Sequence, residues 1–425
     1  MRTTFRSTYP STNSSTYRSL FRTPEFTPLF LASSAHVAAQ TMSGLALGTL
    51  VYRATDSPLL AALSMFGPSL AQVLGATTLL SAADRLPPRA TMTGTALAFA
   101  AGTALLALPA PLWAVFALIL TLGLVASLGG GVRWGLLNEI LPKDGYILGR
   151  SVFNMANGVT QITGYATGGV LIALLSPRGT LLAAAALYAT AALVARCGLT
   201  SRPPRATGRP SIRATWSTNR TLLSSGPRRH LYLALWLPNG LIVGCESLYV
   251  SYAPEHAGLL FACAALGMLT GDVAVARFAG PTLRPRLGVP LLLLLAAPYL
   301  LFALHPGPSL AAALAALASV GFGASLLQQE RLMAVTPPEL AGHALGLHSS
   351  GMLTAQGVGA ALAGAVAQLS SPATAMAATA AASIIVTLTL ARGLRPVRQS
   401  SSVPDAAPGT MASGSTASGA APDTV

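Results

Sequence analysis

Charge is scarce in this chain. Asp, Glu, Lys and Arg together make up 9% of its 425 residues, where a soluble globular protein carries about 25%. All four are missing from 26–52, 57–83, 90–132, 151–177, 179–195, 287–329 and 340–391. A helix crosses a hydrocarbon core of about 30 Å with about 20 apolar residues. Seven blocks of that order exceed what one soluble core can bury, so the pattern predicts a polytopic membrane protein. In lipid every backbone N–H and C=O must be paired within the protein, which leaves helices or a closed barrel. Barrel strands alternate apolar and polar residues, whereas 291–295 and 311–318 are apolar throughout. An all-α bundle is expected.

Other absences narrow the chemistry. Only three cysteines occur, Cys197, Cys245 and Cys263, in or beside apolar blocks and without metal-ligand spacing. They read as small apolar residues, with no disulfide framework and no metal site. The twelve acidic residues stand mostly near the ends of the apolar blocks, so paired catalytic carboxylates are scarce. No Walker loop, Gly-x-Ser-x-Gly elbow, His-Glu-x-x-His or Cys-x-x-Cys is present. No enzyme activity and no cofactor are expected, and any energy the protein uses would come from an ion gradient rather than ATP. The net charge is +14. A nucleic-acid surface would interleave its basic residues with aromatics. Arg202, Arg205, Arg209 and Arg213 stand instead in a Pro/Ser/Thr linker, and no nucleic-acid partner is expected.

Breaks between helices are written in Pro, Gly and short polar turns. Twelve spans are predicted. They cover about 28–52 and 58–83, then two within 90–132 parted at Pro109-Ala110-Pro111, then 151–175 and 180–198 parted at Ser176-Pro177-Arg178-Gly179. The second set covers 231–252 and 257–278, two within 287–329 parted at His305-Pro306-Gly307-Pro308, and two within 340–391 parted at Ser370-Ser371-Pro372. With the N-terminus inside, only Arg53 and Arg178 among the basic residues fall in outer loops, which obeys the positive-inside rule. The organisation expected is a disordered cytoplasmic tail (1–27), a six-helix bundle (28–198), an Arg-rich cytoplasmic linker (199–229), a second six-helix bundle (230–394) and a disordered cytoplasmic tail (395–425). Usage of 25 arginines against one lysine, with heavy Ala, Gly and Pro, points to a GC-rich bacterial genome and so to the bacterial cytoplasmic membrane.

The two 43-residue uncharged stretches begin 197 positions apart. At an offset of 193, Gly130, Gly149, Gly158 and Gly164 meet Gly323, Gly342, Gly351 and Gly357. Parallel six-helix halves are one plan of secondary transporters, with the solute site between the halves near mid-membrane. With this topology the chain resembles the major facilitator superfamily over 28–394. The stretch Asp84-Arg85-Leu86-Pro87-Pro88-Arg89 is similar to the family's acidic–basic loop signature, without its glycines. In the second half Gly267-Met268-Leu269-Thr270-Gly271-Asp272, followed by Arg277, keeps it better. Gly164-Tyr165-Ala166-Thr167-Gly168-Gly169 resembles the Gly-Pro-x-x-Gly-Gly of the antiporter branch, with Tyr165 in place of proline. The resemblance implies a drug-efflux or exporter-like transporter that rocks two bundles around a central cavity. It also implies cytoplasmic gates at Asp84 with Arg85 and at Asp272 with Arg277. Each carboxylate would pair with an arginine and with the positive end of a helix from the other half. Arg133 is the natural partner for Asp84, and Arg331 is offered for Asp272. The plain alternative is that these charges only set topology. Gly164, Gly168, Gly169 and Gly357 read as helix-packing positions.

Glu246 stands apart: it lies inside the seventh span, with no basic residue between Arg229 and Arg277. A carboxylate in mid-membrane costs about 2.5–3.5 kcal/mol on insertion scales, so it should face a cavity, where a carboxyl serves proton coupling. The alternative is a protonated carboxyl bonded to a neighbouring helix with no part in transport. Pro238-Asn239-Gly240 in the same span suggests a local break. Softer candidates for the cavity wall are His36 and Gln40, the stripe Asn154, Asn157, Gln161 and Tyr165, then Trp236, Asn239 and Tyr249, and His348 and Gln356. His343 reads as a cytoplasmic helix-start residue. The function expected is proton-coupled export, by a monomer, of a small amphipathic or lipophilic solute. An importer of a small nutrient and a non-transporting membrane scaffold or sensor remain as alternatives.

Overall fold

The computed structural model describes residues 17–83, 86–141, 143–204, 212–280 and 282–391. Asp84, Arg85, Arg205, Arg209 and the expected tails before 17 and after 391 lie outside them. Among the described residues every regular element is a helix. The long helices are α1 (Phe26–Thr55), α2 (Pro58–Ala83), α3 (Pro88–Leu106) and α4 (Leu112–Ile140). The next, Lys143–Gly198, holds 56 residues but is not straight: Ser176 sits at φ 80°, ψ 164°. It divides α5 (143–175) from α6 (177–198), and the chain folds back there, because Phe153 and Ala195 pack in one cluster with Phe26. After a linker helix, Ile212–Ser224, come α7 (Gly226–Ser247, extended by Tyr249–Tyr252) and α8 (Ala257–Phe278). Then follow α9 (Arg284–Leu300, extended by a 3₁₀ turn), α10 (Pro308–Val320 and Ala324–Ala334 joined by a 3₁₀ turn), α11 (Ala341–Leu369) and α12 (Pro372–Ala391).

The breaks are local chemistry. At the α5–α6 corner the Ser176 hydroxyl accepts the Gly179 N–H at 3.4 Å, and Pro177 takes the first helical position, where its missing N–H costs nothing. The sixth helix therefore starts at 177, three residues before the expected 180. Asp56 closes α1 at φ 51°, and the Ser57 hydroxyl caps α2 by accepting the Leu60 N–H at 3.2 Å. Pro238-Asn239-Gly240 does not break α7, which is helical through all three residues. The triplet instead lets α11 come close: a Cβ at Gly240 would collide with the Ala355 carbonyl.

Two connecting segments carry helices of their own. Part of the N-terminal tail is folded: Tyr17–Arg22 is helical, Leu20 is buried, and Phe21 packs edge-on against Phe26 and Phe30. The linker contains the helix Ile212–Ser224, held to the body by buried Leu222 and by the His343 Nε2–Asn219 Oδ1 hydrogen bond of 2.9 Å. Here Glu25 is a clamp. Its carboxylate accepts the Thr200 N–H (3.1 Å) and hydroxyl (2.9 Å) and both Nη groups of Arg202 (2.8 and 3.1 Å). Burial works to raise the Glu25 pKa, but these hydrogen bonds outweigh it and hold the carboxyl below its ordinary value. A lowered carboxylate pKa contributes stability above the unfolded-chain value of about 4.3 that is lost as pH falls through the folded value. Glu25→Gln is therefore expected to cost about 1 kcal/mol near neutral pH and nothing in acid. Thermal unfolding of both forms at the two pH values checks this.

Packing follows the rules of helices in lipid, where close approach of small residues replaces hydrophobic burial. Gly267 and Gly271 of α8 lie against the Ala316 and Val320 carbonyls of α10, and Gly244 of α7 against Gly359 of α11. Large apolar residues such as Leu174, Phe278, Leu304 and Leu369 point outward instead. Nine helices among the described residues are long and apolar enough to cross a membrane, one of them a 51-residue stretch that includes the Ser176 corner.

Contacts also correct the register of the repeat. Gly164 of α5 backs onto Thr41 of α1, and Gly359 of α11 backs onto Gly240 of α7. Gly169 of α5 meets Gly258 of α8, and Gly364 of α11 meets Leu59 of α2. Both correspondences are 195 positions apart, not 193. Two residues of slip turn a helix by about 200°, which is why Gly357, the match at 193, faces Leu70 of α2 rather than the α7 equivalent of α1.

Candidate functional site

A cavity of about 700 Å³ lies between the helices, within the range of small-molecule sites. Its wall takes residues from α1 to α8, α10 and α11. Seven of the expected polar candidates line it: His36 and Gln40, Asn157, Gln161 and Tyr165, Asn239, and Gln356. Spacings of four put the first two on one face of α1 and the next three on one face of α5. Gln356 Nε2 donates to Asn239 Oδ1 at 2.9 Å, joining α11 to α7 across the wall. The His36 ring sits edge-on to Phe99 and Tyr188, with centroids at 5.2 and 4.9 Å.

Four other candidates are not in the wall. Asn154 is exposed, nearer the start of α5. Trp236 lies over Gly351 and donates its Nε1–H to the His348 carbonyl at 3.0 Å, so it joins α7 to α11. His348 is buried at that joint, its Nδ1 without a partner. Tyr249 is wholly buried behind the wall, its hydroxyl paired with that of Tyr299. Trp236 and Tyr249 share one reason: a polar group in an apolar helix can satisfy itself on a neighbouring helix as well as on a cavity.

The charged residues of the wall are Arg133, Glu246 and Asp272. Glu246 lies twenty residues past the start of α7, about 30 Å along it, so the cavity is deep. Its carboxyl has no ion pair among the described residues; the buried hydroxyl of Ser319 faces it without hydrogen-bond geometry. Tyr165 and Phe261 share the wall with it. Tyr165 stacks on Phe261 at 4.8 Å, and Phe261 meets Tyr249 edge-on at 4.8 Å. This aromatic stack joins α5 to α8 beside the carboxyl. Arg133 and Asp272 stand seven and six residues from the ends of α4 and α8, toward the end of the molecule where α1 begins and α12 stops. Of the other gate candidates, Arg277 is exposed. Arg331 donates to the Pro285 carbonyl at 2.7 Å, while Glu330 beside it pairs with Arg284 at 3.1 Å.

At the opposite end the first and second halves of the chain touch. The Ser57 hydroxyl donates to Gln368 Oε1 at 2.7 Å, and the Tyr52 hydroxyl to the Ser251 carbonyl at 3.5 Å. A Cβ at Gly169 would lie 3.1 Å from the Gly258 Cα, and one at Gly357 would lie 2.5 Å from Leu70. Gly164 and Gly168 pack against Thr41 and Met42 of α1. Wall residues absent from the sequence reading include Gln72, Phe99, Phe261 and Gln329. The two glutamines carried a signal, as amides inside uncharged blocks; the rings carried none, because phenylalanine in an apolar helix is uninformative. Among the described residues no cluster of His, Cys, Asp and Glu could hold a metal.

The family model of the major facilitator superfamily matches residues 29–329. The chain belongs to that superfamily. Membership makes it a multi-pass membrane protein of the transporter class rather than an enzyme, with a small molecule as its ligand. No curated protein matches it in sequence. Among solved structures it is similar to a POT family transporter in complex with 5-aminolevulinic acid, at 12% identity and TM-score 0.72, covering 89% of this chain and 97% of that one. A bacterial homologue of the human lysosomal transporter Spinster, inward-facing and unoccupied, matches at 14% identity and TM-score 0.66, covering 87% and 95%. The nucleoside transporter NupG matches at 15% identity and TM-score 0.66, covering 87% and 100%. At these identities the likeness is one of superfamily fold.

Proposed function

We propose that the chain is a monomeric secondary active transporter that exports a small amphipathic or lipophilic solute in exchange for protons. The observation that carries the reading is Glu246: a carboxyl deep in an otherwise mostly uncharged wall, with no cation paired to it. Bearing a proton, it is compatible with a solute of low polarity; released, it stabilises neither an empty nor a lipid-facing cavity. Aromatic and amide side chains around it suit a solute with a flat apolar body and a few hydrogen-bonding groups. Twelve crossings follow if α1 and α3 cross along with the nine apolar segments and α5–α6 crosses twice. Both termini and the Arg-rich linker then face the cytoplasm of a bacterial cell, and on this reading the cavity opens to the same side, through a mouth between Arg133 and Asp272. On this reading Asp84, Arg85, Asp272 and Arg277 act in the alternative state, when that mouth closes by rocking of the two bundles.

The test is solute-dependent proton movement in proteoliposomes, with a panel of amphipathic dyes and antibiotics and a pH-sensitive fluorophore inside. Dissipation of an imposed proton gradient by at least one solute, abolished by a protonophore, is the expected result. A panel without any such response removes the coupling. A tag inserted between 205 and 211 is expected to be reached by antibody only after the cells are permeabilised. Labelling of intact cells would reverse the topology.

A further inference from the structure

Among the described residues Arg133 has no counter-charge paired with it. It lies in the cavity wall, its Nε is sealed from solvent without a hydrogen-bond partner, and among the described residues it makes no ion pair. Its guanidinium instead rests 5.0 Å from the ring of Trp134, whose ring also lies 5.6 Å from Arg150. A charge held in the membrane interior without a partner is expensive and marks a functional site. A guanidinium carries its donors in a planar fork that matches the two oxygens of a carboxylate, and Arg133 is the one cationic side chain among the described residues of this wall. The neighbours restrict the anion further. Glu246 and Asp272 line the same cavity, and their charges disfavour a phosphate or any dianion. Phe99, Phe261 and Tyr165 provide an aromatic wall beyond the charge.

We propose that Arg133 anchors the carboxylate of the transported solute, which makes the solute an amphipathic organic monoacid with an aromatic or lipophilic body. This rests on the cavity being the solute site but not on proton coupling through Glu246. On this assignment Arg133 contacts the solute itself, which a latch between helix ends would not do.

The probe is 1-pyrenebutyrate, compared with its uncharged primary amide, titrated into purified protein in nanodiscs at pH 7.5 with no gradient and followed by fluorescence anisotropy. Wild type is expected to bind the acid roughly tenfold or more tighter than the amide, as one charged hydrogen-bonded contact requires. Arg133→Gln should bind the two equally, and Arg133→Lys should keep part of the preference, because it keeps the charge and loses the fork. Glu246→Gln should keep all of it, so loss of proton coupling and loss of the anion site are separate results. Equal binding of acid and amide by wild type, saturable binding of neither, or a preference that survives in Arg133→Gln overturns the assignment. The wild-type comparison stands even if a variant fails to fold.

Discussion

Glu246→Gln is expected to abolish proton-coupled transport while leaving the solute site usable. Glutamine keeps the shape and one hydrogen-bonding oxygen of the side chain but cannot exchange a proton. Solute flux driven by a pH gradient should fall about 100-fold or more, the scale of loss when a proton-transfer group is removed. Exchange of labelled for unlabelled solute across proteoliposomes needs no net proton movement and should persist. A purely structural carboxyl would behave differently: both fluxes would fall together, with a lowered thermal midpoint. The midpoint is instead expected to hold or rise, because the substitution removes an ionisable group from the membrane interior. Persistence of gradient-driven flux in the variant would sink the coupling role.

Gly169→Leu carries the second large effect. Gly169 of α5 and Gly258 of α8 meet backbone to backbone, with a Cβ on Gly258 placed 2.7 Å from the Gly169 Cα. No flexible side chain is there to yield, so the added bulk must push the helices apart. Overpacking of this kind costs about 1–3 kcal/mol, and it falls wholly on the state in which this end is closed. Transport should drop at least about tenfold, since 1.4 kcal/mol is a factor of ten in a population. A cysteine placed at Gln40, in the cavity wall, should become reachable by an impermeant thiol reagent from the side opposite the Arg-rich linker. Gly346→Leu, where nothing lies within 4 Å, is the control and should change neither measure. Normal transport in Gly169→Leu would mean that this contact does not close the cavity.

Most helix boundaries could be read from the chain because the membrane makes the pattern one-dimensional. Charge is excluded from lipid whatever the tertiary fold, and 58–83 and 257–278 coincide with α2 and α8 to the residue. The Ser176, His305 and Pro372 breaks were equally plain. The folded segment Tyr17–Arg22 was not: its stability comes from Leu20 and Phe21 packing on a helix-bundle surface that composition does not reveal. Nor was the continuity of α7 through Pro238. There the neighbouring α11 decides, since a proline in a helix is tolerated where packing holds the backbone on either side.

For the cavity wall the division follows the same physics. Which residues are polar inside an apolar block is written in the chain, and Glu246, Gln40 and Gln161 stood out for that reason. Which of them face solute rather than another helix depends on how the helices are rotated and paired. Trp236 turns to α11 and Tyr249 to α9, whereas His36, Asn157 and Gln356 turn to the cavity. The 193-residue glycine register failed on the same point, because two residues of slip change the face of a helix without changing its composition. Depth in the membrane is therefore a property of the linear pattern. Azimuth is a property of packing, and the separation of Arg133 from the other described charges became visible only once its neighbours were placed.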